Sequence, residues 1–304
     1  MAAVFAQDIQ GELSPNRSPR VASAAPAEDK SFREGAMGEE QLDLFAASGT
    51  PRECRPQSDS GLQELAAAEL DDAALIAAIP RAGLAETPAL AAEAGRRGLI
   101  AAVPALEQLC LRFAGFGLER TVPEQVAALQ ALALIGGSES ARTVARLIAK
   151  GVVQGPTRKV AVDVAARLDS ALPVETVLAF LHDADPKVRA DACRCARPWP
   201  AVLQALLDLA DDGDSDVRVA AACALGRMGR PEARQALSRL LVSGPSLEVI
   251  DAIPGIADED CIILLGRLVR TRPTLAAAAR DALEMIAHPR ARQVIAAETV
   301  GRDE

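Results

Sequence analysis

The segment Val217-Arg218-Val219-Ala220-Ala221-Ala222-Cys223-Ala224-Leu225-Gly226-Arg227-Met228 sets apolar or small residues at Val217, Ala221, Ala224, Leu225 and Met228. Those positions lie along one face of an α-helix. The face recurs. Moving back 29 positions gives Val188, Ala192, Cys195, Ala196 and Trp199 at the same offsets, and moving forward 58, or twice 29, gives Leu275, Ala279, Ala282, Leu283 and Ile286. The turn that follows recurs too. Pro231-Glu232-Ala233-Arg234-Gln235 is answered 58 residues later by Pro289-Arg290-Ala291-Arg292-Gln293. Apolar periodicity arising by chance does not reproduce a turn in register. A fainter copy lies 93 residues upstream, where Leu132, Ile135 and Gly136 align with Leu225, Met228 and Gly229.

A period near thirty residues with two helices per period is the signature of stacked helical hairpins, each burying its apolar face against its neighbours. The sequence therefore predicts an all-α fold: an α-solenoid of about six to seven hairpins over residues 61–304. Composition agrees. Half of the 304 residues are hydrophobic, only 2% are aromatic, there is no Tyr, and Trp199 is the one Trp. Ala and Leu favour helices, whereas a β-rich chain draws more on β-branched and aromatic residues. The copy near Leu247–Gly255 departs most. Pro254 stands where the pattern calls for Leu, which predicts a short helix there.

The turn inside the hairpin carries a family resemblance. His182-Asp183-Ala184-Asp185-Pro186-Lys187-Val188-Arg189 is followed one period on by Asp211-Asp212-Gly213-Asp214-Ser215-Asp216-Val217-Arg218. This Asp-x-Asp-x-x-Val-Arg pattern before an Ala-rich helix resembles the HEAT-like repeat, in its short bacterial PBS-lyase-type form. Asp is a good N-cap and suits the positive end of the helix dipole, and Pro186 is harmless in the first turn. The resemblance implies a protein-interaction scaffold or adaptor, with a protein partner on the concave face of the solenoid. Phycobilin lyases and alkylpurine DNA glycosylases are also HEAT-like. The latter rely on an aromatic, basic face, which 2% aromatics and a net charge of -9 argue against. For the lyase alternative, no motif in the chain decides.

Residues 1–60 read differently. Most of this tail is rich in Ser, Pro, Ala and charge without a sustained period, so disorder is expected. One apolar island interrupts it: Gln41-Leu42-Asp43-Leu44-Phe45. The pentapeptide resembles the Gln-Leu-Ser/Asp-Leu-Phe segment with which many bacterial polymerases and repair proteins dock on the DNA sliding clamp. The resemblance implies that the Gln41 amide hydrogen-bonds at the cleft, Leu42 fills a nearby apolar site, and Leu44 and Phe45 enter the deeper pocket, with Asp43 between them. The alternatives are a turn packed on the first hairpin, or docking in an unrelated complex.

No catalytic constellation is expected. His182 and His288 are isolated from each other, and no phosphate-binding glycine loop is present; Gly95-Arg96-Arg97-Gly98 reads as a turn with solvated arginines. The run Asp211–Asp216 alternates like a calcium loop, but Val217 and Cys223 stand where such a loop needs other residues, so helix capping is expected. Cys193 and Cys195, two apart on a helix, point away from each other, and no second pair has zinc spacing. Neither metal nor cofactor is therefore expected. Arg189 and Arg218 follow Val at equivalent positions and predict a ladder of arginine–aspartate pairs along the stack. Arg227, Arg230, Arg234 and Arg239 could form a basic strip, diluted by acids such as Glu232. Net charge disfavours direct nucleic-acid binding. Six scattered cysteines, the absence of a basic leader and the lack of an eighteen-residue apolar run predict a soluble, cytoplasmic protein without a membrane span.

Overall fold

The computed structural model describes residues 58–300, and among these the regular structure is entirely helical. Gln41–Phe45 and Cys54 lie outside the described residues. Sixteen α-helices follow in order: α1 (Ser58–Glu69), α2 (Asp72–Ala78), α3 (Thr87–Arg96), α4 (Val103–Arg112), α5 (Pro123–Ile135), α6 (Gly137–Ala149), α7 (Gly155–Arg167), α8 (Val174–Leu181), α9 (Pro186–Cys195), α10 (Pro200–Leu209), α11 (Ser215–Arg227), α12 (Arg234–Ser243), α13 (Leu247–Asp251), α14 (Glu259–Thr271), α15 (Ala276–Met285) and α16 (Pro289–Val300).

Each even-numbered helix from α2 to α14 packs on the odd-numbered helix that follows it. This gives seven hairpins, α2–α3 through α14–α15, within the range expected from the repeats. Helix α1 lies against α3 at one end, and α16 covers α14 and α15 at the other. The odd-numbered helices touch in unbroken succession, so α3, α5, α7, α9, α11, α13 and α15 form one layer, and the even-numbered helices, in contact at α4–α6, α8–α10 and α12–α14, lie in a second. Among the described residues no helix is long and apolar enough to cross a membrane.

The repeating face is the core. Val188, Ala192 and Cys195 of α9, Val217, Ala221, Ala224 and Leu225 of α11, and Ala279, Ala282 and Leu283 of α15 are all buried. Full burial of a leucine such as Leu225 contributes about 1.5–3 kcal/mol. Helix α11 is enclosed on several sides, with an unbroken buried run from Ala220 to Gly226. Gly226 lets α11 approach α12 and the end of α13. A Cβ there would stand 2.5 Å from Leu237 Cδ1 and 2.6 Å from the carbonyl oxygen of Ala252. Helix α13 is five residues long, as Pro254 foretells.

Helix starts follow their sequence signals. Pro occupies the first turn of α3, α4, α5, α7, α9 and α10, where no intrahelical N–H bond is lost. Asp71, Asp185, Asp214, Ser246 and Asp258 cap α2, α9, α11, α13 and α14 by accepting from backbone N–H groups.

Two local expectations need correction. Gly95-Arg96-Arg97 ends α3 instead of forming a turn, and Arg96 is solvated whereas Arg97 is not. Arg97 closes α3 and donates to the carbonyls of Ala68 and Leu70 at 2.9 Å, to Asp72 at 2.8 Å and to Glu93 at 2.6 Å, tying α1 and α2 to α3. Arg96 grips Glu93 as well, through two bonds of 2.8 and 2.6 Å. These two arginines, Arg96 foremost and against the cost of burial, hold the Glu93 carboxyl down at about 2. Nor do Arg227, Arg230, Arg234 and Arg239 make a strip. Arg230 pairs with Glu232, and Arg234 bonds the Ile256 carbonyl and approaches Asp258, so the set is divided among different elements.

Candidate interaction surface

The turn before α9 is built by two aspartates in tandem. Asp183 Oδ1 accepts from Asp185 N–H at 2.9 Å, and Asp185 Oδ1 accepts from Lys187 N–H at 2.9 Å. The turn before α11 repeats the construction. Asp212 accepts from Asp214 N–H at 2.8 Å, and Asp214 accepts from Asp216 and Val217 N–H at 2.9 and 3.2 Å. The alternating aspartates thus serve the turn. Among the described residues no three His, Cys, Asp or Glu side chains gather as a metal set.

The arginine after each Val then closes its own turn from the other side. Arg189 donates to the carbonyls of Asp183 and Ala184, and Arg218 to those of Asp212 and Gly213. Arg189 also reaches the next hairpin, where Nε and Nη2 donate in parallel to both oxygens of Asp212, each at 2.9 Å. Such two-pronged pairs are the strong ones. Arg189 holds the Asp212 carboxyl below its usual range, and the Asp214 N–H adds to the effect. One hairpin earlier, Arg158 bonds Asp183 at 2.7 Å and Lys159 pairs with Asp185. Of the ladder expected from the sequence, the Arg189 rung is present and the Arg218 rung is not, and the pairs run from α7 through α9 to the turn before α11.

A second line of charge crosses the odd-numbered layer. Lys187, Asp191 and Arg194 share one face of α9, three and four residues apart. Arg167 of α7 approaches Asp163 at 3.9 Å, Asp163 meets Lys187 at 3.1 Å, and Lys187 meets Asp191 at 2.8 Å. Asp191 meets Arg194 at 2.8 Å, and Arg194 passes over α11 to Glu248 of α13, with bonds of 3.0 and 3.2 Å. Burial opposes the charge on Arg194 and on Lys187. Glu248 and Asp191 outweigh that for Arg194, and Asp191 and Asp163 for Lys187, so both pKa values rise. The Asp191 side chain is 4% exposed, a buried carboxylate answered by two cations.

Where Arg194 bridges α11, the ends of α9, α11 and α13 enclose an open groove of about 650 Å³, lined by Arg194, Arg197, Ala224, Arg227, Glu248 and Asp251 among others. Arg197 is engaged with Asp169 at 2.8 Å. Arg227 is exposed and has no carboxylate within ion-pair distance among the described residues. Burial pushes Cys193, Cys195 and Cys223 up to about 12. His182 and His288 sit at the end of α8 and just before α16.

Residues 174–253 match the HEAT repeats family. The match spans α8–α9, α10–α11 and α12–α13, three whole hairpins, and contains both Asp-x-Asp turns and the Arg189–Asp212 rung. Those three hairpins are thus similar to HEAT repeats, and the hairpins on either side continue the same stacking. The X-ray structure of YibA from Escherichia coli is similar over 75% of this chain and 97% of that one, at 12% identity and a TM-score of 0.38. No curated protein matches the chain.

Sequence reasoning missed two members of this architecture. Gln125 of α5 is fully buried, and its amide nitrogen donates to the carbonyls of Cys110, Phe113 and Val152 at 3.1, 3.3 and 3.2 Å, joining the ends of α4 and α6. A lone Gln in an Ala/Leu helix is the signal that could have found it. The Arg194–Glu248 bridge joins residues 54 apart and skips a helix, and no local pattern announces it.

Proposed function

We propose that this chain is a non-catalytic scaffold or adaptor. The HEAT hairpins hold a protein partner on the face of the odd-numbered helices between α7 and α13, and Gln41–Phe45 docks the chain on the bacterial DNA sliding clamp as a replication or repair accessory. The observation that carries the scaffold reading is the seam from Arg167 to Glu248, assembled only when α7, α9 and α13 stack in register, with Arg227 left without a carboxylate in the groove beside it. HEAT repeats generally serve protein interaction, and stacked repeats create extended binding faces. The charged groups of the seam answer one another, and the buried thiols of α9 and α11 are held protonated, which suits recognition better than catalysis. The reading places the chain in the cytoplasm, where buried free cysteines stay reduced.

Support for the clamp is the match at Gln41, Leu42, Asp43, Leu44 and Phe45. A lone short peptide offsets its own ordering from few contacts, so the affinity is expected to be about micromolar. Fluorescence anisotropy with a labelled peptide spanning residues 36–50 and purified clamp tests this. Leu44→Ala with Phe45→Ala should abolish binding and leave the melting temperature of the full chain unchanged. A wild-type peptide that stays unbound at high micromolar clamp ends the clamp reading. The scaffold reading is tested apart from it. Arg227→Glu in the full chain should lose co-purifying proteins, read by mass spectrometry, that the Leu44/Phe45 variant retains. Identical protein sets with and without Arg227→Glu would remove the odd-numbered face from the proposal.

A further inference from the structure

The even-numbered layer changes character along the chain. Helices α8 and α10 contain no Lys or Arg and expose Glu175 and Asp208. Helices α12 and α14, neighbours in the same layer, leave between them a groove of about 800 Å³. Leu264 lies in it, and Val242 and Ile263 stand 64% and 48% exposed along it. Arg239 lines the same groove, and Arg267 and Arg272 line its continuation past Val242 and Leu264. None of these three guanidiniums has a carboxylate within ion-pair distance among the described residues, and Asp260 is the one carboxylate lining either part. In a chain of net charge -9, an apolar trough edged by three unanswered cations is a local reversal.

We propose that the α12–α14 groove docks an acidic amphipathic helix of a protein partner, its apolar stripe on Val242, Ile263 and Leu264 and its flanking carboxylates on Arg239, Arg267 and Arg272. The charges select the sign of the partner, and complementary rims set encounter and register. The exposed apolar residues select its kind. A phosphate backbone would meet the arginines and leave Val242 and Ile263 unused, whereas an amphipathic helix laid in a groove uses both. The inference rests on the scaffold reading of the repeats but not on the clamp segment, so the Leu44/Phe45 variant should bind this helix as the parent does.

The test uses the full chain and a fluorescein-labelled synthetic helix of eighteen residues, with Leu at alternating three- and four-residue spacing flanked by Glu. A twin carries Lys in place of Glu, and an oligo-dT of eighteen nucleotides serves as polyanion control. The Glu helix is expected to bind at about micromolar Kd and the Lys twin roughly tenfold more weakly or not at all. Arg239→Glu with Arg267→Glu should weaken the Glu helix about tenfold, and Val242→Ser with Ile263→Ser about fivefold. All four positions are exposed, so the melting temperature should hold, and circular dichroism checks it. No binding of the Glu helix at high micromolar chain overturns the proposal. Equal binding of oligo-dT, insensitive to the serine pair, makes the surface a polyanion site instead. Self-association in sedimentation equilibrium that the serine pair abolishes gives the groove to a second copy and overturns it equally.

Discussion

The turns before α9 and α11 share the Asp-x-Asp-x-x-Val-Arg pattern and do different work. Arg189 and Arg218 each follow Val, and each clasps the carbonyls of its own turn. Arg189 also finds Asp212 in the next hairpin, at 2.9 Å through both oxygens. Arg218 finds no such partner, because the next turn reads Ser243-Gly244-Pro245-Ser246. A repeat motif is therefore half of an interaction. Its value depends on the neighbour, which is what nearest-neighbour coupling in a stacked repeat means physically. Beyond α11 the stack is held differently, by close approach at Gly226 and by the Arg194–Glu248 bridge that leaps across α11.

Helix α11 supports both sides of this contrast, so the most damaging change is within it. Leu225→Asp places a carboxylate where the parent residue is 1% exposed. The expected loss is at least about 4 kcal/mol, from lost burial together with an unpaired buried charge. Hydrogen exchange should rise in α9 and α12 as well as in α11. Protection that falls in α11 alone would mean the hairpins are not coupled through it.

Gly226→Ala separates the two sides. Its Cβ would press on Leu237 and on the Ala252 carbonyl, both on the α12–α13 side, and a backbone carbonyl cannot rotate away. About 1–3 kcal/mol should be lost, with exchange rising in α12 and α13 before α9. Gly213→Ala is the control, since nothing lies within 4 Å of that Cβ. If both variants melt together, the packing at Gly226 is looser than its geometry states.

Arg189→Ala removes the rung. The loss should be about 1 kcal/mol, since the pair is mostly buried and two-pronged but still touches solvent. It should also depend on pH. Arg189 lowers the Asp212 pKa, so the rung's contribution is complete above the ordinary carboxylate value of 3.8 and is lost as pH falls through the depressed folded value. The gap in stability between parent and variant should therefore be full at neutral pH and shrink in acid below 3.8. Urea melts at pH 7 and in acid measure it. A gap that widens in acid would show that Asp212 is stabilised by something other than Arg189.

The same contrast explains what the sequence made legible. The hairpins between α8 and α11 could be read because register, cap and arginine repeat together, at Val188 and Val217, Asp185 and Asp214, Arg189 and Arg218. The seven-hairpin stack follows from that period, and the short α13 follows from Pro254. The seam was not legible. Asp163, Lys187, Arg194 and Glu248 come from three helices, α7, α9 and α13, and whether they meet depends on how each helix is rotated in the stack. Arg97 was misread for a related reason. Between two glycines it looks like turn material, yet its partners Ala68, Leu70 and Asp72 lie 25–29 residues upstream, in helices whose faces are too rich in Ala to show a register. Gly95 on α3 lies close against α5, where a Cβ would stand 3.3 Å from the Ala131 Cα, and such backbone proximity leaves little side-chain pattern to read.

The smallest effect should come from Arg218→Ala. Its two bonds go to the Asp212 and Gly213 carbonyls, at 2.7 and 3.1 Å, in an exposed turn where water can replace them. Exchanging protein for water as the partner of an exposed carbonyl costs little, and no carboxylate loses its counter-charge within a rung. The expected change is under about 0.5 kcal/mol, with no dependence on pH between neutrality and 3.8. The comparison with Arg189→Ala is sharp because both substitutions delete the same atoms at the same repeat position, each beside two carbonyls of its own turn, and the neighbouring turn offers a carboxylate to one and not to the other. A double substitution, Arg189→Ala with Arg218→Ala, adds a check. If the rung and the clasp are independent, the two losses sum within about 0.5 kcal/mol. If Arg218→Ala alone costs as much as Arg189→Ala, the turn carbonyls rather than Asp212 hold these arginines in place, and the ladder is an accompaniment to the stacking rather than a cause of it.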